Sequence, residues 1–298
     1  MDNSSAHMIG ASVVHQSSHR LTPAITWHVF YLSERSSFAW NPGESILMQL
    51  PPDIDLTARP LSDPASRQLY FTPCNSPSHG TTTAPRIEII LRNGRLSSLI
   101  ATPRFNSLRA SICSVGRGFD LDALNRDDTQ TIAIAGGTGI SPFLAISRSV
   151  PTSWDANSAR SLLWSLHVGD LALVMYVLEN NYLPVDGWNR VVIFVTIGTD
   201  TIAASSVEIK CRELWSRLPS DVQDRIQFSC RRMTEQDIRG VQSVSKITGI
   251  EKTTVYFCGS NSLRWQIKRW GIAMTTKVVT IPTPGIPGQK SINRSADL

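Results

Sequence analysis

Gly136, Gly137 and Gly139 are the residues of this sequence whose type and spacing point most directly to chemistry. They sit in the stretch 131–143, TIAIAGGTGISPF. A short apolar run, Thr131 to Ala135, leads into them, and Ser141-Pro142, a pair suited to opening a helix, follows. A strand that ends in glycines and turns into a helix presents bare backbone N–H groups to an anion. The missing Cβ atoms let a phosphate come close to the chain. With Thr138 in the middle of the turn, the stretch predicts a nucleotide phosphate site; the plain alternative is a tight strand–helix turn that Thr138 closes. It is not a Walker loop, because no Lys-Ser/Thr follows the glycines, and it departs from Gly-x-Gly-x-x-Gly.

The elements needed to hold such a site follow from hydrophobic periodicity. After residue 125, strand-like runs alternate with helical ones. The strands are Thr131–Ala135, Ser161–Leu166, Val191–Thr196, Ile226–Cys230 and Thr254–Cys258. Helices are predicted over Phe143 to Ser147, Asp170 to Asn180, Ser206 to Leu218 and Asn261 to Trp270, the last stopped by Gly271. This alternation implies a five-stranded parallel sheet covered by helices, with ligands beyond the carboxyl ends of its strands. Both the glycine turn and Cys258-Gly259 fall at such ends. Before residue 125 the pattern is of short strands: Ile25 to Leu32, Ser45 to Leu50, Arg67 to Thr72, Arg86 to Leu91 and Ser111 to Phe119. Turns at Asn41-Pro42-Gly43 and Asn93-Gly94 separate some of them. One short helical piece begins at Gly94. The expectation is an antiparallel β-barrel over 20–125, an α/β domain over 126–281, a polar flexible N-terminus over 1–19 and a Pro/Gly-rich tail over 282–298.

Composition sets bounds. In 298 residues, 41% hydrophobic and 18% charged, there is room for two globular domains. A net charge of +5, scattered rather than gathered into a stripe, suits an anionic ligand or acidic partner and argues against nucleic acid. No apolar run approaches the roughly 18 residues of a membrane span. The first residues lack the charged start and apolar core of a secretory signal. Five cysteines without a Cys-x-x-Cys pair argue against iron–sulfur or structural zinc sites and for a reducing compartment, the cytoplasm. His7, His15 and His19 have no acidic or Cys companions, so no metal is assigned.

A barrel followed by a five-stranded nucleotide sheet resembles the ferredoxin–NADP reductase superfamily over residues 20–280. Ala135-Gly-Gly-Thr-Gly-Ile-Ser-Pro142 is similar to the family's nicotinamide-nucleotide loop. Phe257-Cys-Gly-Ser260 is similar to its Cys-Gly-Pro motif. Gly94-Arg-Leu-Ser97 resembles its Gly-x-x-Ser flavin pyrophosphate turn, and Arg67-Gln-Leu-Tyr-Phe-Thr72 is a looser match to Arg-x-Tyr-Ser/Thr, with Tyr70 one position late. The resemblance implies an FAD-binding, FR-type barrel and an NAD(P)-binding α/β domain. It implies that Arg67, Gly94 and Ser97 hold the FAD pyrophosphate, and that Tyr70 and Thr72 contact the flavin. The nicotinamide nucleotide would lie on Gly136, Gly137, Thr138, Gly139, Ser141, Pro142 and Gly259, with Cys258 near its ring. Tyr70, Thr72 and Cys258 are the residues it places nearest the reaction. Arg231-Arg232, after a strand, is where a 2′-phosphate would sit; two adjacent Arg also read as solvated charge. The family's acidic-aromatic C-terminus has no counterpart in 272–298.

Such a reductase needs no side chain to break bonds, since its cofactors supply the chemistry and the protein supplies proximity. The leading expectation is an FAD-dependent NAD(P)H oxidoreductase passing electrons to an acidic acceptor protein or a small molecule. Arg264, Lys268 and Arg269 form one basic helix face for docking, or simply its wet face. Two alternatives stay open: a degenerate relative that binds nucleotide or partners without turnover, and an unrelated α/β nucleotide-binding protein.

Overall fold

A computed structural model describes residues 11–32, 38–49, 68–75, 86–93, 100, 109–115, 119, 129–149, 159–184, 187–198, 204–247 and 252–272. Its N-terminal half is a six-stranded antiparallel sheet built from β1 (Ala11–Thr22), β2 (Ile25–Leu32), β3 (Ser45–Gln49), β4 (Gln68–Phe71), β5 (Arg86–Arg92) and β6 (Arg109–Val115). The strand order is β4-β3-β6-β1-β2-β5. Alternation puts Val13, Phe30, Ile46, Met48, Phe71, Ile87, Ile89 and Ile112 into one core, so residues of both end strands meet in the middle. The seam between those ends is closed just after β4. Cys74 N–H donates to the Glu88 carbonyl at 2.8 Å. The Asn75 side chain stands in for a strand, accepting from Glu88 N–H at 2.9 Å and donating to the Arg86 carbonyl at 2.7 Å. The sheet is therefore rolled into a barrel.

One expectation is corrected here. From residue 11 onward the N-terminus is not a flexible tail but β1, paired with both β2 and β6. Its sequence looks polar because only Ala11, Val13 and His15 among its first residues point inward, and Gln16 to Arg20 run exposed along the edge of the domain.

The C-terminal half is a parallel sheet of β7 (Thr129–Gly136), β8 (Arg160–His167), β9 (Arg190–Thr196), β10 (Ile226–Ser229) and β11 (Lys252–Cys258), in the order β10-β9-β8-β7-β11. Its helices are α1 (Ser141–Ser149), α2 (Leu171–Glu179), α3 (Ala204–Ser216), α4 (Ser220–Gln223), α5 (Glu235–Ile247) and α6 (Asn261–Arg269). Both faces are covered, as near-continuous apolar strands require. Ala133, Ala135, Leu162, Trp164 and Ile193 pack on one face with α1, α2 and α3; Ile132, Ile134, Leu163, Val192 and Phe257 pack on the other with α5 and α6. Helix α5 has no counterpart in the sequence expectation, because Gly240 and a polar composition blur its period. Its start is nonetheless encoded: Thr234 N–H donates to Asp237 Oδ2 at 2.7 Å, the side chain three residues on. Among the described residues no helix is long and apolar enough to cross a membrane.

The halves share one core. Ile25, Trp27, Cys74, Ile90 and Phe119 of the barrel side join the α1–α2 face of the parallel sheet. Trp27 stacks on Tyr182 with ring centroids 4.8 Å apart, and His19 stacks on Tyr176 at 5.0 Å. The buried Glu88 of β5 receives Arg148 of α1 through two bonds of 3.1 and 3.3 Å, and Arg86 at 2.8 Å. Helix α1 is thus fixed to the barrel at its C-terminal end, which orients the end that opens on the glycine turn.

Candidate functional site

The chain leaves β7, fills β8, β9 and β10 on one side, and returns to place β11 on the other side of β7. That reversal opens a crevice at the carboxyl ends of β7 and its neighbours. Two glycine turns meet in it. After β7, Gly137 to Ile140 form a single 3₁₀ turn that runs straight into α1, with Gly137 at φ +55°. A Cβ on Gly139 would overlap the Cys258 carbonyl oxygen and lie 2.6 Å from its carbon and 2.9 Å from Gly259 N. A Cβ on Gly259 would lie 3.0 Å from both N and Cα of Gly136. The backbones touch, so both positions are closed to larger residues. Trp164 Nε1–H donates to the Gly137 carbonyl at 2.9 Å and pins the turn to β8.

Beside these turns lies a cleft of about 290 Å³ over the strand ends. Its walls include Gly136, Gly137, His167, Arg232, Ser260 and, from the barrel, Arg92. Arg92, the last residue of β5, ion-pairs with Asp170 in the turn before α2, and its guanidinium is 3.5 Å from where a Gly137 Cβ would be. Asp170 is almost fully buried while Arg92 is half-exposed, so the pair ties the two domains at the mouth of the cleft and leaves cationic surface facing it. A cleft lined by both glycine backbone and guanidinium groups fits a polyanionic ligand.

The residues expected from sequence distribute as follows. Gly136 and Gly137 line the cleft; Gly139 and Gly259 form the touching backbone beneath it. Ser141 and Pro142 are buried in the first turn of α1, and Ser141 Oγ–H donates to the Thr138 carbonyl at 2.9 Å. Cys258 is buried in the shared core and is not among the cleft walls. Burial pushes its thiol up to about 12, so it stays neutral. Arg231 is held away from the cleft by Asp237, with bonds of 2.7 and 2.5 Å, and lies over the Phe194 ring. Its neighbour Arg232 is the one in the cleft wall. Tyr70, on β4, is half-buried and points away from the barrel core that Phe71 enters. Thr72 is 2% exposed, and its hydroxyl has no hydrogen-bond partner among the described residues. An unmatched buried hydroxyl costs about 1–3 kcal/mol, so this position suits a polar atom supplied by a ligand. Two residues on, Cys74 packs in the shared core with Phe143 and Leu144, which joins the Thr72 segment to the start of α1. Arg67, Gly94 and Ser97 lie outside the described residues.

Arg92 and His167 enter the site without having been singled out as ligands. Arg92 carries a faint signal, a basic residue closing a strand just before the Asn93-Gly94 turn. His167 carries none.

No protein-family profile and no curated protein matches the chain by sequence. Solved structures match by shape. The flavohemoglobin of Malassezia yamatoensis, with bound FAD and heme, is similar over 91% of this chain at 14% identity and a TM-score of 0.53. The Amycolatopsis cytochrome P450 reductase GcoB is similar over 88% at 12% identity and 0.52. The chain spans 59% and 65% of those two proteins. A ferredoxin NADP+ reductase from Neisseria gonorrhoeae with bound FAD and NADP is similar over 92% of this chain and 96% of its own length, at 13% identity and 0.51. The two-domain fold of ferredoxin–NADP reductases, an antiparallel barrel followed by a five-stranded parallel sheet, is therefore the fold of this chain.

Proposed function

We propose that this protein is an FAD-dependent NAD(P)H oxidoreductase that passes electrons to a protein or small-molecule acceptor. The observation that carries the reading is the joint between domains. A glycine turn opening α1 and a cleft with guanidinium walls meet there, and the barrel segment of Thr72, whose buried hydroxyl has no partner among the described residues, runs on to Cys74 in the core shared with α1. A flavin supplies hydride acceptance and electron release when bound. The chain's own part is to bind, orient and exclude water.

In this reading the 136–139 turn and the N-terminus of α1 receive a pyrophosphate, with Arg92 beside Gly137 as a cationic partner. Gly139 and Gly259 let the ligand lie against bare backbone. Thr72 donates its hydroxyl to the flavin ring, and Tyr70 flanks it. Arg67, Gly94 and Ser97 are assigned to the FAD pyrophosphate on their sequence pattern. Arg232, rather than Arg231, is assigned to the adenosine end, where a second cation favours a 2′-phosphate. The buried neutral thiol of Cys258 packs behind the nicotinamide site and takes no proton in the reaction.

The test is the spectrum of the purified protein and its anaerobic titration with NADH and NADPH. A flavin absorption that bleaches with either nucleotide is expected. Flavin that never bleaches identifies a binding protein without turnover, and a colourless protein that cannot be reconstituted with FAD overturns the reading. Arg67→Ala is expected to purify with flavin lost; full retention removes that Arg from the site.

A further inference from the structure

Away from the cleft, a second and larger hollow of about 610 Å³ opens between α3 and β10, the edge strand of the parallel sheet. Cys211 of α3 and Cys230, the residue after β10, both line it, flanked by Arg212, Trp215 and Phe228. Both are free thiols, close enough that Cys230 adds to the burial that raises the Cys211 thiol. Cys211 is buried on the face of α3 that carries Val207 and Leu214, while Cys230 is partly exposed. Cys74 and Cys258 are fully buried, with no second thiol beside them among the described residues.

We propose that Cys211 and Cys230 are a reversible dithiol–disulfide site, oxidised by hydroperoxides that enter the hollow between α3 and β10. The sulfur of the partly exposed Cys230 attacks the O–O bond; an S–O bond forms, the O–O bond breaks, and water or an alcohol leaves. The Cys211 sulfur then attacks the Cys230 sulfenic acid. The S–S bond forms, the S–O bond breaks, and a second water leaves with the Cys211 proton. Two thiols lose two electrons and the peroxide gains them. Cys211 suits the second role because burial pushes its thiol up to about 12, which keeps it unreactive until a sulfenic acid stands beside it. Two thiols lining one hollow need only a local approach to reach the S–S length of about 2 Å. A small dithiol reductant reverses the step by exchange.

The location gives the bond a consequence. Cys230 begins the segment that carries Arg232 and Met233 into the wall of the first cleft. Closing the disulfide ties that segment to α3.

The experiment uses the purified full chain, reduced and then exposed to a single equivalent of hydrogen peroxide. Remaining thiols are alkylated and the peptides mapped by mass spectrometry. The expected result is a linked pair of peptides containing Cys211 and Cys230, loss of both thiols together, full return with dithiothreitol, and unchanged alkylation of Cys74 and Cys258 after unfolding. Cys211→Ser is expected to leave Cys230 as a sulfenic acid trapped by dimedone; Cys230→Ser is expected to leave Cys211 reduced. Sulfinic or sulfonic acid at Cys230 without a link, a linkage between two chains, or retention of both thiols in the wild-type protein overturns the proposal. None of these readouts depends on a bound flavin or nucleotide.

Discussion

The two halves of this molecule bury polar groups in different places. In the parallel sheet the strand middles are apolar on both faces, and the buried polar side chains gather at the strand ends: Thr129, Gln130, Thr131, Arg160 and Ser161 where β7 and β8 begin, and Ser141 and Asp170 beyond their carboxyl ends, beside the cleft. In the barrel, polar side chains lie inside the wall itself. His15 and His28 are bridged by the Ser18 hydroxyl at 2.9 and 2.8 Å, and among the described residues each keeps one ring nitrogen without a partner. Glu88 sits buried between Arg86 and Arg148. Parallel topology concentrates ligands at strand ends. An antiparallel barrel has no such common edge, so its polar groups serve the seam and the contact with the other half.

That contrast can be broken at its strongest point first. Gly139→Val places a side chain on the backbone of Cys258 and Gly259, which has no flexible end to yield. The expected loss exceeds the ~1–3 kcal/mol of ordinary overpacking, read as a lowered urea midpoint, with loss of nucleotide binding. A near wild-type midpoint would show that the two turns are not locked together.

Glu88→Ala attacks the barrel's side of the joint. It leaves Arg148 beside a buried gap; the expected cost is about 2–3 kcal/mol, below that of a fully buried pair because both arginines keep contact with water. Arg86→Ala, removing a half-exposed partner, is expected to cost about 0–1 kcal/mol. Equal costs would mean that the bond between domains is not the important one.

Acid should separate the halves. Burial, with His15 as a second contributor, lowers His28 from 6.5 to about 3, and burial lowers His15 as well. Folded His28 stays neutral while the unfolded chain takes up a proton below pH 6.5. Stability is full above that pH and falls as pH drops toward 3, by up to about 1.4 kcal/mol per pH unit. In the parallel half, bonding to Arg231 lowers Asp237 from 3.8 to about 2, so its contribution is kept above 3.8 and lost only as pH falls through 2. Hydrogen exchange at pH 5 is expected to show barrel amides losing protection first. His28→Gln should flatten the pH dependence between 6.5 and 4; an unchanged slope removes His28 as the cause.

A smaller effect distinguishes neighbours in the cleft. Arg232→Ala is expected to weaken binding of a 2′-phosphorylated nucleotide about tenfold, roughly 1.4 kcal/mol. Arg231→Ala, whose side chain is committed to Asp237, should change it far less. The reverse order would move the phosphate site. Asp237→Asn, weakening the cap on Thr234, is expected to cost about 1 kcal/mol in thermal or urea unfolding; no measurable change would mean that the cap is dispensable.

The elements that could be read in advance are those with local signatures. The five parallel strands, the glycine turn and helices α1, α2, α3 and α6 are each written in a few consecutive residues, as apolar runs, glycines and 3.6-residue periods. Strand β1 escaped because half of it faces water, and α5 because its pattern is interrupted at Gly240, although Thr234 and Asp237 mark its start.

Sequence alone determined which segments are strands, which turn is stripped of side chains, and that a barrel precedes a parallel sheet, since backbone preference and burial pattern act over a few residues. Tertiary structure decided which residues meet. It set Gly139 on Cys258, paired Arg92 with Asp170, gave the cleft Arg232 while binding Arg231 to Asp237, and brought Cys211 and Cys230 to one hollow. Those contacts join positions far apart in the chain or choose between adjacent ones. They depend on the packing of whole elements, which no short stretch of residues encodes.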